Sequence, residues 1–393
     1  MGLSVRLKGQ EKTRRAAAKS RFPKIFNFPL KASVEVDARA VIGRINPRVY
    51  GHFIEHLERC IYDGVWTADG TRLREDTLAL IDALNPPLMR YPGGNFASGY
   101  HWQDGIGPKS QRPARTDKAW NATESNQVGT DEFMAFCRVV DAEPFLVVND
   151  GSGTPEEAAR WVEYCNAATG EQAKRRTANG RAAPYNVRLW GAGNEVWGAW
   201  QIGTTSAENY AARLIAFADA MRAADPSIEI VAVGDKVLTD DPDDPGARWN
   251  ETVLRAAADK TDHLSFHIYH PDQAGWRENY DPESLHHTVL AAPLGTERII
   301  QRIAAQIAAF APDQKIGVAL DEWNLWLAPP PEARSMHDLN YTLRDALYAA
   351  GMLNAFQRQC NLLSLANLAQ LVNVLPLISS ASSASNARSA ACR

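Results

Sequence analysis

Residues 186–198 read Asn-Val-Arg-Leu-Trp-Gly-Ala-Gly-Asn-Glu-Val-Trp-Gly, and this stretch holds the pattern that decides the fold. A short, mostly apolar run is followed directly by polar residues, among them Asn194 and Glu195. Short apolar runs of this length are typical of buried strands in a parallel sheet. In a barrel of parallel strands the active site lies at the carboxyl ends of the strands. The stretch therefore predicts a strand and, at its end, a part of the active site.

The same pattern recurs along the chain and predicts the architecture. Eight apolar, β-branched runs alternate with amphipathic stretches, as in successive βα units. The predicted strands are Val49 to Ile54, Pro87 to Tyr91, Pro144 to Val148, Asn186 to Ala192, Glu229 to Val233, His263 to Ile268, Lys315 to Leu320 and Leu362 to Ala366. This number favours an α/β fold of the (β/α)8 TIM-barrel type over an open doubly wound sheet. Gly191 and Gly193 lack the third glycine of a dinucleotide fingerprint, which argues against a nucleotide cofactor.

The helices are predicted from apolar positions three and four residues apart. They are Arg74 to Leu84, Thr130 to Val140, Thr154 to Asn166, Glu208 to Ala224, Glu297 to Phe310 and Tyr341 to Gln357. Thr154, Pro155 and Glu157 stand at the positions of a capping box, with proline in the first helical position. The start of that helix is the most clearly marked in the sequence.

Composition excludes several classes of protein. The chain has 393 residues, 22% of them charged, and a formal net charge of −4, which offers no general attraction to nucleic acid or to anionic lipid. We therefore predict neither a nucleic-acid nor a membrane partner, and we leave a homo-oligomer open. The five cysteines include no CxxC pair, which favours free thiols in a reducing, cytoplasmic compartment over disulfides or a zinc site.

Two glutamates stand at the ends of predicted strands. Glu195 follows the fourth strand, and Glu322 follows the seventh within Asp321-Glu322-Trp323-Asn324. Two carboxylates that face each other across a barrel mouth are what glycoside hydrolysis requires, because one protonates the departing oxygen and the other attacks the anomeric carbon or activates water. The alternative interpretation is that one of the two glutamates caps a helix and the other lies on the surface. This interpretation is less favoured when two glutamates stand at strand ends and each has a tryptophan beside it.

The motifs resemble those of the α-L-arabinofuranosidases of glycoside hydrolase family 51, over about residues 32 to 375. The most specific are Arg-Tyr-Pro-Gly-Gly-Asn-Phe from Arg90 and Gly-Asn-Glu from Gly193. The others are Tyr50 to His56, Trp102 to Pro108, His267 to Tyr269, Asp321 to Asn324 and Asn367 to Asn373.

The resemblance implies roles for individual residues. Glu195 matches the general acid/base and Glu322 the nucleophile of a retaining mechanism, in which Glu195 must hold a proton while Glu322 is ionised; we expect Trp197 and the charge of Glu322 to favour that proton. Arg90 and Tyr269 match partners of the nucleophile. The other matching substrate-binding positions are Phe53, Glu55, Asn95, Trp102, Asn194, Trp326 and Gln370. His267 is expected to support the site through hydrogen bonds, and no cofactor and no metal are predicted.

The resemblance also implies domain boundaries. Residues 49–375 are expected to form the barrel. Residues 1–31 are expected to be a basic, disordered extension, and residues 376–393 a disordered tail rich in serine and alanine. The family's barrel is followed by a C-terminal β-sandwich, which we expect to be largely missing from this chain. Residues 32–48 would supply one strand of it, Ala32 to Ala38, without a partner. We expect an unpartnered edge of this kind to favour association with other chains.

The leading hypothesis is a retaining, exo-acting α-L-arabinofuranosidase that acts on arabinose-containing oligosaccharides or polysaccharides. An endoglucanase or β-xylosidase of the same clan is the alternative enzyme, and an inactive, truncated sugar-binding relative is the alternative from another class. A pocket closed by Trp102 and Trp326 would favour the arabinofuranosidase, whereas an open cleft would favour the endoglucanase or β-xylosidase.

Overall fold

The structure is a computed structural model, and it describes residues 3–5, 34–37, 39–271 and 281–382. The chain divides into two compact units, Met1–Gly43 and Arg44–Arg393. In the first unit, strand β1 (Leu3–Val5) pairs antiparallel with β2 (Val34–Val36). The expectation that the strand near Val34 has no partner is therefore wrong. The rest of the predicted basic extension lies outside the described residues.

The second unit contains a closed parallel barrel, which confirms the predicted fold. Among the described residues its strands follow the order β10-β11-β12-β3-β4-β7-β8-β9. They are β3 (Gly51–Phe53), β4 (Leu88–Tyr91), β7 (Glu143–Val147), β8 (Leu189–Ala192), β9 (Glu229–Ala232), β10 (His263–His270), β11 (Gly317–Leu325) and β12 (Leu363–Ala369). A small hairpin of β5 (Arg115–Asp117) and β6 (Ala122–Glu124) lies in the loop after β4.

Helices connect the barrel strands; six of them overlap the six predicted helices, and α4 and α6 were not predicted. They are α1 (Glu75–Leu84), α2 (Thr130–Val139), α3 (Pro155–Asn166), α4 (Glu171–Ala178), α5 (Ala207–Ala224), α6 (Pro245–Ala257), α7 (Pro282–Phe310) and α8 (Leu343–Arg358). Helix α7 begins fifteen residues before the predicted start at Glu297, because Pro293 is accommodated inside it although proline normally ends a helix.

The predicted capping box of α3 is only half formed. The hydroxyl of Thr154 accepts a hydrogen bond from the backbone N–H of Glu157 at 3.2 Å, as expected for the N-cap residue. The carboxylate of Glu157 does not return to the cap but binds Nδ1 of His101 at 2.9 Å. Glu157 thus ties the loop that carries His101 to the start of α3.

The described part of the C-terminal tail is ordered against the barrel. The backbone N–H of Ile378 donates to the carbonyl of Leu371 at 3.0 Å, and the Ile378 side chain is buried. Ser380 donates through its N–H to Oδ1 of Asn373, and Arg74 donates to the carbonyl of Ala381. The expectation of disorder is therefore wrong for residues 376–382, and residues 383–393 lie outside the described residues.

Candidate active site

A cavity of about 620 Å³ opens at the carboxyl ends of the barrel strands. Cavities of this size are typical of small-molecule sites. It collects seven of the eleven predicted catalytic and substrate-binding residues, together with His267 and Trp197; the seven are Glu55, Asn95, Glu195, Tyr269, Glu322, Trp326 and Gln370.

An irregularity in β11 brings Glu322 to the cavity. Ser265 of β10 pairs with Ala319, but His267 pairs with Glu322, so β11 contributes one residue more than its neighbour over this interval. The same extra residue shows on the other side, where Leu320 and Trp323 of β11 face Ala366 and Leu368 of β12. A bulge of this kind changes the direction in which side chains point. Glu322 therefore lies inside a long strand, whereas the sequence predicted the strand to end at Leu320.

The Glu322 carboxylate is held by two donors. Arg90 donates from Nη1 to Oε1 at 2.7 Å, and the hydroxyl of Tyr269 donates to Oε2 at 2.6 Å. Arg90 also donates from Nη2 to Oδ1 of Asn194 at 2.7 Å. Arg90 is fully buried and Asn194 nearly so, and both lie behind the cavity wall. These donors suit a carboxylate that must be ionised and fixed in direction.

The Gly193-Asn194-Glu195 turn requires unusual backbone angles. Gly193 has a φ of +102°, and a side chain there would collide with the carboxylate of Asp150. Glu195 itself has a φ of +45°, which is uncommon for a residue other than glycine. Such angles are found at functional sites, where they fix the direction of a side chain. The turn points Glu195 into the cavity and keeps Asn194 beside Arg90.

Glu195 accepts hydrogen bonds on both oxygens. His267 Nδ1 lies 2.8 Å from Oε1, and Trp200 Nε1 donates to Oε2 at 3.3 Å. Burial raises the pKa of Glu195, but the hydrogen bond and the charge of His267 outweigh burial and lower it below its ordinary value. The expected proton on Glu195 in the free enzyme is therefore not supported. Trp197, which was expected to favour that proton, donates instead to the carbonyl of Gly234.

His267 lies between three carboxylates. Its Nε2 is 3.1 Å from Oδ1 of Asp321, and its Nδ1 is 3.6 Å from Oε2 of Glu322 in addition to the contact with Glu195. Burial lowers the pKa of His267, but these carboxylates together raise it to about 10.

One atom each from Glu195, His267 and Glu322 lie within 4.8 Å of one another, a spacing that a metal ion could bridge. An imidazole that carries protons on both nitrogens has no lone pair for a metal. These three side chains are therefore better suited to sharing protons in hydrogen bonds than to binding a metal ion. The same spacing places an oxygen of Glu195 within 4.8 Å of an oxygen of Glu322.

Glu55 is a third carboxyl group in the cavity. Its Oε1 accepts from the backbone N–H of Phe96 and from Nε1 of Trp120, each at 3.0 Å, and its Oε2 accepts from Nε2 of Gln370 at 2.8 Å. Burial and the charge of Glu322 raise the pKa of Glu55 to about 8, although two of these hydrogen bonds act in the opposite direction. Glu55 is therefore mostly protonated at neutral pH.

The structure does not place two of the aromatic residues predicted to bind substrate, Trp102 and Phe53, in the cavity lining. Trp102 is buried in the core, where it stacks on Trp161 at 6.1 Å and donates to the carbonyl of Glu157. Phe53 lies beneath Arg90, whose guanidinium carbon is 4.7 Å from the ring centre. Trp326 does line the cavity and packs edge-on against Tyr269.

Trp120 and Trp200 are cavity residues that sequence reasoning missed. Trp120 lies in the β5–β6 hairpin loop and meets His337 edge-on at 5.5 Å. Trp200 is 63% exposed at the cavity rim. Neither residue belongs to a periodic pattern, and each reaches the site through a loop. The one available signal was that both lie within loops that follow predicted strands.

Asp150, which contacts the Gly193 turn, gives a prediction about stability. Its carboxyl oxygens are buried without a hydrogen-bond partner, and burial raises its pKa to about 7. The pKa of Asp150 is higher in the folded protein than in the unfolded chain, where it is about 4. Its protonation therefore stabilises the fold fully below about pH 4, and this stabilisation is lost as the pH rises through about 7. We expect Asp150→Asn to melt at a higher temperature than the parent at pH 8 and to have a free energy of unfolding larger by an amount on the order of 1–3 kcal/mol.

Melting curves from pH 4 to pH 9 test this prediction. The advantage of Asp150→Asn should shrink as the pH falls from about 7 towards 4, since the parent carboxyl is protonated in both states only below about pH 4. Asp240→Asn, at an exposed ion pair with Arg302, is the matched control. A difference between Asp150→Asn and the parent that is independent of pH would contradict the assignment.

A parallel barrel with two facing carboxylates above it, among aromatic walls and polar donors, defines the class of glycoside hydrolases on (β/α)8 barrels. Comparison with known families narrows this class. Residues 80–284 match the family model of the α-L-arabinofuranosidase 1 domain, and residues 321–389 match that of the α-L-arabinofuranosidase C-terminal domain. The chain belongs to the α-L-arabinofuranosidases of glycoside hydrolase family 51.

Individual relatives agree with this membership. The chain is 37% identical to a probable α-L-arabinofuranosidase C of Aspergillus clavatus, over 85% of this chain and 67% of the relative. It is also 37% identical to an intracellular exo-α-(1→5)-L-arabinofuranosidase of Streptomyces lividans, over 85% of this chain and 52% of that protein. The crystal structure of an α-L-arabinofuranosidase from Thermotoga maritima in complex with arabinose superposes with a TM-score of 0.76 at 38% identity, covering 86% of this chain and 67% of that one.

Proposed function

We propose that this enzyme is a retaining, exo-acting α-L-arabinofuranosidase that removes terminal, non-reducing α-L-arabinofuranosyl residues from oligosaccharides or polysaccharides. Its membership in the family supports L-arabinofuranose as the sugar that is released and the α-glycosidic bond as the bond that is cleaved. One observation carries the mechanism: oxygens of Glu195 and Glu322 lie within 4.8 Å of each other. Retaining enzymes hold the two carboxyl groups about 5 to 5.5 Å apart, whereas inverting enzymes need about 6.5 to 9.5 Å to admit a water molecule.

In the first step Glu322 is the nucleophile. Its carboxylate attacks the anomeric carbon, and the bond between that carbon and the leaving oxygen breaks. Glu195 gives its proton to the leaving oxygen, so that the aglycone departs as a neutral alcohol. Because His267 lowers the pKa of Glu195 in the free enzyme, the proton must be favoured when the sugar binds. The sugar excludes water from Oε2 and replaces the Trp200 contact there.

In the second step the arabinosyl ester of Glu322 is hydrolysed. Water gives a proton to Glu195, its oxygen attacks the anomeric carbon, and Glu322 leaves as a carboxylate. Two inversions at the same carbon give net retention. A lowered pKa of Glu195 suits this step, because Glu195 must then be ionised in order to act as a base.

The exo mode is proposed from the walls of the cavity. Trp120, Trp326 and His337 stand around one side of it, and Trp200 and Trp197 stand on the side of Glu195. A cavity lined in this way fits a single terminal sugar better than the middle of a long chain. The Streptomyces relative is named as an exo-acting enzyme, which supports the same mode.

A panel of substrates tests the proposed activity. Purified protein should hydrolyse an aryl α-L-arabinofuranoside at least about a hundredfold faster than the corresponding arabinopyranoside or β-xyloside, since pocket hydrogen bonds reject misplaced hydroxyls. Arabino-oligosaccharides should release arabinose alone from the first minutes. Faster cleavage of the β-xyloside, or internal cuts in a glucan, would support the alternative clan activities instead. Absence of any turnover by folded protein would support the sugar-binding relative.

Glu55 gives a prediction within this function. Glutamine has the shape of the protonated carboxyl group, so Glu55→Gln should keep kcat/KM within about tenfold at pH 6, whereas Glu55→Ala should lose about a hundredfold or more, because buried donors are left unpaired. The parent should lose activity as the pH rises through about 8, where Glu55 ionises beside Glu322. Profiles of kcat/KM against pH measure both effects. A Gln variant as poor as the Ala variant at every pH would mean that Glu55 acts as an anion.

We further propose that the enzyme works in a reducing compartment such as the cytoplasm. The described cysteines Cys60, Cys137, Cys165 and Cys360 are free, and the first three are buried. The Streptomyces relative is named as intracellular. Within the described ranges no helix has the length and apolar character needed to cross a membrane.

A further inference from the structure

Asp321 immediately precedes the proposed nucleophile, but it takes part in neither of the two proposed catalytic steps. It is nearly fully buried, with a 4% exposed surface. A buried carboxylate is costly unless cations and donors surround it. The bulge in β11 turns Asp321 as well as Glu322 toward the interior of the barrel mouth.

Both oxygens of Asp321 face cations. Oδ1 lies 3.1 Å from Nε2 of His267, and Oδ2 lies 3.4 Å from Nε of Arg90. The other nitrogen of His267 faces Oε1 of Glu195 at 2.8 Å. Asp321, His267 and Glu195 thus form one continuous chain of contacts that ends on the proposed acid/base.

We propose that Asp321 is a positioning residue: through His267 it reserves Oε1 of Glu195 as a hydrogen-bond acceptor and leaves Oε2 as the oxygen that exchanges the catalytic proton. The inference rests on the proposed function of Glu195. His267 keeps both of its protons through both steps, and the only proton that moves lies between Oε2 and the leaving oxygen or water.

The tautomers of histidine explain why Asp321 is needed. With a carboxylate at Nε2, His267 is stable as an imidazolium, and Nδ1–H donates to Glu195. Without that charge, a neutral imidazole keeps its proton on Nε2 and presents a lone pair at Nδ1. Glu195 could then keep this contact only by placing its own proton on Oε1. That proton would point away from the substrate, and Glu195 would be a poor base.

The surrounding charges favour the same arrangement. Besides Arg90, the charged groups near His267 come from the loop after β8, from the loop after β9 and from β11; they are Glu195, Asp235, Lys236, Asp321 and Glu322. Glu195, Asp321 and Glu322 are three carboxylates opposite two cations, Arg90 and His267, so the fully ionised cluster carries one excess negative charge. A proton taken up on Oε2 when the sugar binds neutralises that excess. In the arabinosyl enzyme Glu322 is a neutral ester, and the cluster is neutral with Glu195 ionised.

The kinetic test uses Asp321→Asn, which keeps the shape and one acceptor but removes the charge. With a dinitrophenyl arabinofuranoside the first step needs no proton, so we expect a burst of dinitrophenolate followed by a turnover at least about tenfold slower than that of the parent. Turnover should recover as the pH rises, because Glu195 then loses the misplaced proton. A uniform loss with every leaving group, without a burst or a pH shift, would mean a merely structural role and would overturn the proposal. Asp240→Asn is the control for charge removal at a distance from the cavity.

A second test is independent of activity. In protein labelled with ¹⁵N on histidine, both ring nitrogens of His267 should be protonated from pH 6 to pH 8 in the parent. The signal is assigned among nine histidines by its loss in His267→Gln. In Asp321→Asn one nitrogen should become unprotonated. A neutral His267 in the parent overturns the proposal even if Asp321→Asn does not fold. If His267 is charged but the protein has no arabinofuranosidase activity, the proposed function is contradicted and the charged state of His267 is not.

Discussion

Glu322→Ala is expected to abolish turnover of an aryl α-L-arabinofuranoside, with a loss of about four orders of magnitude or more, because it removes the proposed nucleophile that forms the covalent intermediate. Arg90 and Tyr269 hold the carboxylate of Glu322 in one direction, so a neighbouring acid cannot replace it. Added azide should restore part of the activity, since a small anion can enter the vacated space. Its product should be the arabinosyl azide of inverted configuration.

Glu195→Ala is the informative partner of this variant. With a dinitrophenyl leaving group its first step needs no proton, so much of that step should survive while hydrolysis of the ester becomes slow. Azide should then attack the arabinosyl enzyme and give a product of retained configuration. Proton NMR of the two azide products distinguishes the roles. Identical responses from the two variants would show that the acid/base and the nucleophile have been assigned wrongly.

The sequence was sufficient for the barrel because the fold depends on local patterns. Each apolar run is long enough to form a strand, and the helices between them carry apolar positions at helical spacing. The bounds were less accurate where tertiary structure overrides the local pattern. Strand β11 continues through Asp321 and Glu322 to Leu325, because a bulge and pairing on both sides let polar residues stay within the sheet. Helix α7 likewise continues through Pro293, which is buried inside it.

Site residues at the ends of strands were easier to predict from the sequence than site residues that lie in long loops. Glu195, Glu322 and Arg90 stand beside apolar runs and within specific motifs, and the structure brings them together. Trp120 reaches Glu55 from a hairpin loop sixty-five residues away in sequence. No periodic pattern encodes that approach. Trp102, by contrast, lies in a matching motif but packs into the core, because its ring stacks on Trp161.

Protonation was the property that the sequence could predict least. The motifs suggested that Glu195 holds a proton beside Trp197 and a charged nucleophile. The structure places the imidazole of His267 against Glu195 instead, and the sign of the pKa shift is therefore opposite. Such a sign depends on distances of a few ångströms between residues on β10, β11 and the loop after β8. Neighbours along the chain do not determine those distances.

Arg90→Met is expected to have the second largest effect, and it should impair stability and catalysis together. Arg90 is fully buried and faces Glu322, Asp321 and Asn194. Methionine fills much of the same volume beside Phe53 but leaves two buried carboxylates with His267 as their nearest cation. Removal of one partner from a buried ion pair costs about 3–5 kcal/mol. We expect this loss in the free energy of unfolding, measured by urea denaturation.

The same variant should lose about a thousandfold in kcat/KM, since Glu322 then loses the cation opposite its Oε1 and the donor that fixes its direction. Arg90→Lys separates the two effects: an ammonium group keeps the charge, and therefore most of the stability, but cannot reproduce the planar contacts with Glu322 and Asn194 at once. We therefore expect Arg90→Lys to unfold near the parent and to be at least about tenfold less active. An Arg90→Met protein with parental stability and kcat/KM within threefold of the parent would contradict this account, because the two carboxylates would then not depend on Arg90 for their charge.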